Sequence, residues 1–212
     1  MERPLRQGPH PSHPGCGPPS TPLLVLCRLM GTIAVHEFIS LDGVFENPSW
    51  TFDFGFDAKM GETLAAITDA CSAILLGRTT FEMFAPAWST RTVEDDPGAP
   101  FFNDTQKYVV SSQPSKVEWR NSTHFGPYDP TAIRKLKSET PGNIYISGSG
   151  TLVRALLADG LVDDLHLFMY PVALGHGEHL FATTPTPTTL TLKTHDVYDN
   201  GVVHLAHGPA PA

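Results

Sequence analysis

The sequence predicts a single α/β domain, a mostly parallel sheet with helices on both faces and an antiparallel hairpin at its C-terminal end. Three observations carry this expectation. Asn143 to Pro171 reads strand, glycine turn, helix, strand, and a strand that returns after a helix implies parallel pairing. Ala73 to Phe84 repeats the strand, glycine turn and helix. Thr189–Val197 and Val202–His207 alternate by two around Asp199-Asn200-Gly201, and Asn-Gly between alternating runs is a strong hairpin signal.

The elements follow in order. Ile33 to Ile39 reads as a strand that ends in the turn Ser40-Leu-Asp-Gly43. Residues 44–57 form an aromatic-rich loop carrying Phe45, Trp50, Phe52, Phe54 and Phe56. Asp57 can cap a helix whose apolar residues Met60, Leu64 and Ile67 recur at helical spacing. Ala73 to Leu76 is a short apolar strand of the buried parallel kind, and Gly77 to Thr80 then opens a helix over Phe81–Phe84, stopped by Pro86. Residues 89–104 read as a polar surface loop, and Lys107 to Ser112 as another parallel-type strand closed by Gln113-Pro114. Asp129-Pro130 starts a helix carrying Ile133 and Leu136, which Pro141-Gly142 ends. Ile144 to Ile146 is a strand, Gly148 to Thr151 a sharp turn, and Leu152, Val153, Leu156 and Leu157 one apolar helix face. Gly160 sits where a helix stop belongs, and Leu165 to Tyr170 is strand again. The count comes to about eight strands and four helices.

Composition bounds the function. The chain has 212 residues, 41% hydrophobic and 17% charged, which suits one globular domain with a real core. A net charge of −8 argues against general nucleic-acid or membrane-surface binding, which needs a basic face. An anionic ligand must therefore be held by local dipoles and a few placed cations. Cys16, Cys27 and Cys71 form no Cys-x-x-Cys pair, which excludes a disulfide framework and fits a reducing cytoplasm. Residues 1–29 hold seven prolines and read as a disordered tail before a domain over residues 30–209. Leu23 to Cys27 is too short for a signal-peptide core, and no later segment is long and apolar enough to span a membrane. Met30 immediately precedes the first strand, so the native protein is expected to start there, with the tail an upstream extension.

Three strand ends carry small or polar residues: Leu76-Gly-Arg-Thr-Thr80, Val110-Ser-Ser112 and Ile146-Ser-Gly-Ser-Gly150. In open α/β sheets ligands bind outside the carboxyl ends of strands. An arginine at a helix start and two hydroxyls on a neighbouring strand suit a phosphate carried on a ribose. Each piece also has a plain structural reading. The glycine turn can be a tight connection, Ser111 and Ser112 turn residues ahead of Pro114, and Thr80 an N-cap.

Together these residues resemble the dihydrofolate reductase superfamily, and more closely the stand-alone branch of the C-terminal reductase domain of riboflavin biosynthesis. The matching pieces are Ser40-Leu-Asp-Gly43, Leu75-Leu-Gly-Arg-Thr-Thr-Phe-Glu82, Tyr108-Val-Val-Ser-Ser112, Ser147-Gly-Ser-Gly-Thr-Leu152, Gly160-Leu-Val-Asp-Asp164, Pro171-Val-Ala-Leu-Gly175 and Leu180-Phe181. The resemblance implies a three-layer dihydrofolate reductase-like fold, a homodimer, and hydride transfer from NADPH to a small pyrimidine- or pterin-like substrate. The activity it points to is that of 5-amino-6-(5-phosphoribosylamino)uracil reductase. Two alternatives stand beside it: a nucleotide-binding protein of the same fold without turnover, and dihydrofolate reduction. It also implies roles. Gly77, Arg78, Thr79 and Thr80 would meet the adenosine-side phosphates, with Arg78, Ser111 and Ser112 on the ribose 2′-phosphate. Gly148, Ser149, Gly150, Thr151 and Leu152 would face the pyrophosphate and nicotinamide ribose, on a turn that in the family often contains a cis peptide. Ser149 replaces the second glycine of that turn.

Hydride transfer also needs a proton, and a carboxylic acid of raised pKa is the usual supplier. Asp42 and Asp57 are the catalytic candidates, Asp42 and Trp50 the substrate-side candidates, with turn formation for Asp42, helix capping for Asp57 and core packing for Trp50 as the alternatives. Ten histidines include no His-x-x-x-His helix motif, so no metal is expected, and no zinc deaminase chemistry either.

Overall fold

The first strand, β1 (Ile33–Ser40), is buried along nearly its whole length, because sheet flanks it on both edges and helices cover both its faces. The computed structural model describes residues 31–181 and 187–211; the proline-rich segment 1–29 lies outside the described residues. After β1 come α1 (Ala58–Asp69), β2 (Cys71–Gly77), α2 (Arg78–Trp88), α3 (Ala99–Asp104), β3 (Gln106–Val110) and β4 (Ser122–Gly126). Then follow α4 (Pro130–Glu139), β5 (Asn143–Ser147), α5 (Gly150–Ala158), β6 (Asp164–Tyr170), β7 (Leu190–Val197) and β8 (Val203–Pro209). They form an 8-stranded sheet in the order β4-β3-β2-β5-β1-β6-β8-β7. The first six strands of that order run parallel, and β8 and β7 close the sheet antiparallel as expected.

Right-handed crossovers decide which face each helix covers. The chain steps from β1 to β4 toward one edge, then reverses and lays β5 between β2 and β1. Met60 and Ile67 of α1, Phe81 and Ala85 of α2 and Phe102 of α3 accordingly share one core. Ile133 and Leu136 of α4 and Leu152, Val153 and Leu156 of α5 fill the other. No helix among the described residues is long and apolar enough to cross a membrane.

Four local expectations are corrected. Helix α2 begins at Arg78 and runs through Pro86 to Trp88, so its N-cap is Gly77 and not Thr80. Pro86 lies in the last turn, where only one ladder bond is lost, and Ser89 N–H still closes on Ala85 O at 2.9 Å. The segment 89–104 is not all loop: it ends in α3, too short to show periodicity. Its Phe102 stacks on Trp88 at 4.2 Å, and its Phe101 meets Tyr145 edge-on at 5.3 Å. Strand β4 was not foreseen because its first three residues are exposed and carry no apolar alternation. The aromatic loop contains a 3₁₀ helix over Pro48–Phe54.

Helix α3 is anchored by a buried cation. Lys107 is fully buried, and its Nζ donates to the carbonyls of Phe102 (2.8 Å), Thr105 (2.8 Å) and Asn103 (3.3 Å). It also lies 4.5 Å from the centre of the Trp119 ring. Burial, helped by Arg120, pulls its pKa down to about 8, so the ammonium is still charged at neutral pH. The negative, carbonyl end of a helix is the right place for it. Lys107→Met keeps the stem but leaves these carbonyls unpaired. It should lower the unfolding free energy by about 2 kcal/mol at pH 7, read from urea denaturation.

Candidate active site

Strands β2 and β5 are neighbours, yet α2 leaves β2 toward one face and α5 leaves β5 toward the other. Between the two departing chains the carboxyl edge of the sheet opens, as it must wherever successive crossovers change side. A cleft of about 940 Å³ lies there. Gly77, Arg78, Thr79, Thr80, Ser111, Ser112, Gly148, Ser149, Gly150, Thr151 and Leu152 all line it. Three strand ends, 72 residues apart in sequence between Gly77 and Ser149, become walls of one space.

The turn geometry explains the residues at the two helix starts. Neither α2 nor α5 has a side-chain N-cap, so their first-turn N–H groups and positive dipole ends face the cleft. Gly148 has φ +63°, and a Cβ there would come 3.1 Å from the Thr80 methyl. A Cβ on Gly150 would run into the Phe45 ring, which lies against the start of α5. Ser149 also takes the left-handed conformation, with φ 64°, unusual for a residue with a side chain. Its Oγ accepts the Gly77 N–H at 2.8 Å, so the serine that replaces glycine ties the two turns together. The Gly148–Ser149 peptide is trans.

Arg78 is the cation of the cleft. Its side chain is 46% exposed and its nearest carboxylate, Glu82, stands 3.9 Å away, a loose pairing that leaves the guanidinium available. Glu82 in turn accepts from the Ser115 hydroxyl at 2.9 Å. Ser111 Oγ accepts the Gln113 N–H at 3.2 Å, and its carbonyl is met by His124 Nε2 at 2.8 Å.

A further group was passed over in the sequence. Glu37, on β1, lines the cleft and is only 3% exposed. The pairing of His36 with Ser147 sets Glu37 beside Gly148, whose N–H donates to Oε2 at 3.1 Å; Oε1 has no partner. Burial pushes its pKa up to about 8, against which the Gly148 bond works only partly. The available signal was a lone acid inside a mostly apolar strand.

The other candidates do not line the cleft. Asp42 accepts from Ser40 Oγ (2.6 Å), Gly175 N–H (2.7 Å) and Leu174 N–H (3.1 Å). The Ser40 hydroxyl and those two amides hold its carboxyl well below the usual range, so it is an ionised pin between β1 and the loop after β6. Asp57 caps α1 through Met60 N–H at 2.9 Å and holds the Asp199 N–H at 3.0 Å. Trp50 packs edge-on against Tyr170 at 5.5 Å, while Phe52 and Phe56 are exposed. Among the described residues no group of three or more His, Cys, Asp or Glu is placed to hold a metal ion.

This order of strands, with a cleft at the reversal and a closing antiparallel hairpin, defines a protein of the dihydrofolate reductase fold. Residues 31–204 match the RibD C-terminal domain, and the chain belongs to that family. It is 24% identical over 173 residues to the uncharacterized protein YyaP of Bacillus subtilis (strain 168), covering 80% of this chain and 90% of that one. Among solved structures, one from Shewanella sp. PV-4, assigned to riboflavin biosynthesis, superposes with a TM-score of 0.71 at 16% identity, over 85% of this chain and 99% of that one. Dihydrofolate reductase from Enterococcus faecalis, solved with NADP(H), superposes at 0.51 with 14% identity, over 86% of this chain and 98% of that one.

The raised pKa of Glu37 has a consequence for stability. The folded state favours its protonated form, so that contribution is whole below about pH 4.5 and is lost as pH rises toward about 8. Denaturation across this window should show stability falling by a few kcal/mol in the wild type. In Glu37→Gln the part of that fall due to this group should vanish, leaving the variant the more stable of the two at pH 9.

Proposed function

We propose that this protein is an NADPH-dependent reductase that passes a hydride to a small, flat heteroaromatic acceptor of the pyrimidine or pterin class. The observation that carries the reading is the convergence of Gly77–Thr80, Ser111-Ser112 and Gly148–Leu152 on one cleft. Arg78, with Ser111 and Ser112, takes the ribose 2′-phosphate; the guanidinium exchanges its loose contact with Glu82 for a doubly charged partner. Thr79, Thr80 and the open amides of α2 hold the adjacent phosphates, and the turn from Gly148 to Leu152 holds the pyrophosphate and the second ribose. The family membership and the NADP(H) bound to the Enterococcus faecalis relative of the same fold support this choice.

The bound cofactor supplies the hydride; the protein supplies position and dryness. Phe38, Phe45, Met83 and Phe84 give the cleft apolar walls for a stacked pair of rings. Glu46 and Glu178 also line it, against Arg78 as the one cation of the lining among the described residues. That balance favours an acceptor without a phosphate of its own, and so an acceptor other than the phosphoribosyl pyrimidine. A second reading, nucleotide binding without turnover, is favoured by Asp42 and Asp57 both being engaged away from the cleft.

Fluorescence titration with NADPH and NADH tests the cofactor. Wild type should prefer NADPH, and Arg78→Ala should weaken NADPH by about ten- to a hundredfold while leaving NADH nearly unchanged. Retained NADPH preference in that variant would sink the 2′-phosphate assignment. Consumption of NADPH on adding pyrimidine or pterin acceptors separates the reductase from the silent binder.

A further inference from the structure

Among the described residues that line the cleft, Glu37 alone keeps a buried side-chain atom, Oε1, without a hydrogen-bond partner. Its other oxygen already accepts the Gly148 N–H, so the proton of the neutral acid belongs on Oε1. A buried O–H without an acceptor is costly, and a site built this way expects the acceptor to arrive with a ligand. The strand order says which part of the ligand. Along the carboxyl edge the walls run from β3 with Ser111, through β2 with Gly77 and β5 with Gly148, to β1 with Glu37. Three strand spacings make ~14 Å, room for a dinucleotide lying across the strand ends. With its 2′-phosphate at Arg78 and Ser111, the nicotinamide falls at β1.

We propose that Glu37 works as a carboxylic acid, donating its O–H to the carbonyl oxygen of the nicotinamide carboxamide and so fixing which face of the ring meets the acceptor. This rests on the reductase reading above. The carboxamide is the ring's one hydrogen-bonding substituent, and it matches a lone donor set among apolar walls. The charged and titratable groups around Glu37 leave it free to play this part. Arg78 opens α2, Tyr128 precedes α4, and Glu46 and Glu178 sit on loops at the mouth, where Arg154 of α5 pairs with Glu178. On β5, the Tyr145 hydroxyl is paired with His36 Nδ1 at 2.7 Å. None of these is bonded to Glu37; among the described residues Gly148 alone is.

The test uses two probes, NADPH and 2′-phospho-ADP-ribose, which keeps the adenosine end and lacks nicotinamide. Each is titrated by calorimetry at pH 7 and pH 9 into wild type, Glu37→Gln and Glu37→Leu, with thermal melts confirming that all three are folded. Wild type should bind NADPH roughly three- to tenfold more weakly at pH 9, where the acid has lost its proton. Glu37→Gln, still a donor, should hold NADPH equally at both values, and Glu37→Leu should bind it roughly three- to tenfold more weakly at both. The nicotinamide-free probe should not distinguish the three proteins. If wild type binds NADPH but both variants match it at both pH values, the role of Glu37 is refuted and the reductase reading survives. If wild type binds neither probe, the cofactor reading itself fails, and this contact with it.

Discussion

A crossover between parallel strands is almost always right-handed, and here that rule opens the cleft that the candidate residues line. Because β5 is inserted between β2 and β1 after the chain has reversed direction, its helix must leave over the opposite face from α2. The gap this creates is a consequence of topology and not of any residue. What the residues do is hold it open at a fixed width. Ser149 accepts the Gly77 N–H and so fastens the two diverging turns to each other. Gly148 and Gly150 let Thr80 and Phe45 approach the backbone where a Cβ would collide. The cleft is a fault line in the sheet, pinned at its base.

The parts of this arrangement that were legible in the sequence are those whose meaning is local. Strand, glycine turn and helix can be recognised within a dozen residues, and so all three turns that line the cleft were found. Other residues take their meaning from partners far along the chain. Asp42 looked like a catalytic candidate until Leu174 and Gly175, over 130 residues on, claimed both its oxygens. Asp57 was divided the same way between its own helix and the distant hairpin. Glu37 is the reverse case: an acid in an apolar strand looks like noise until both faces of the sheet are known to be covered. Helix α3 and strand β4 escaped because one is a single buried turn and the other an exposed edge, and neither shows a period.

Charge poses the remaining problem for the proposed function, since a chain of net charge −8 would have to hold a phosphorylated dinucleotide. Two uncapped helix starts and one half-exposed arginine supply the attraction locally, where dipoles act within a turn's length. That attraction would be opposed if the acid at the floor of the cleft were ionised. Burial removes the conflict by keeping Glu37 protonated at neutral pH. The same desolvation that makes the floor compatible with an anion also turns its carboxyl from an acceptor of hydrogen bonds into a donor. Anion tolerance and the proposed recognition of an amide carbonyl thus follow from one physical cause, and neither can be altered at this position without altering the other.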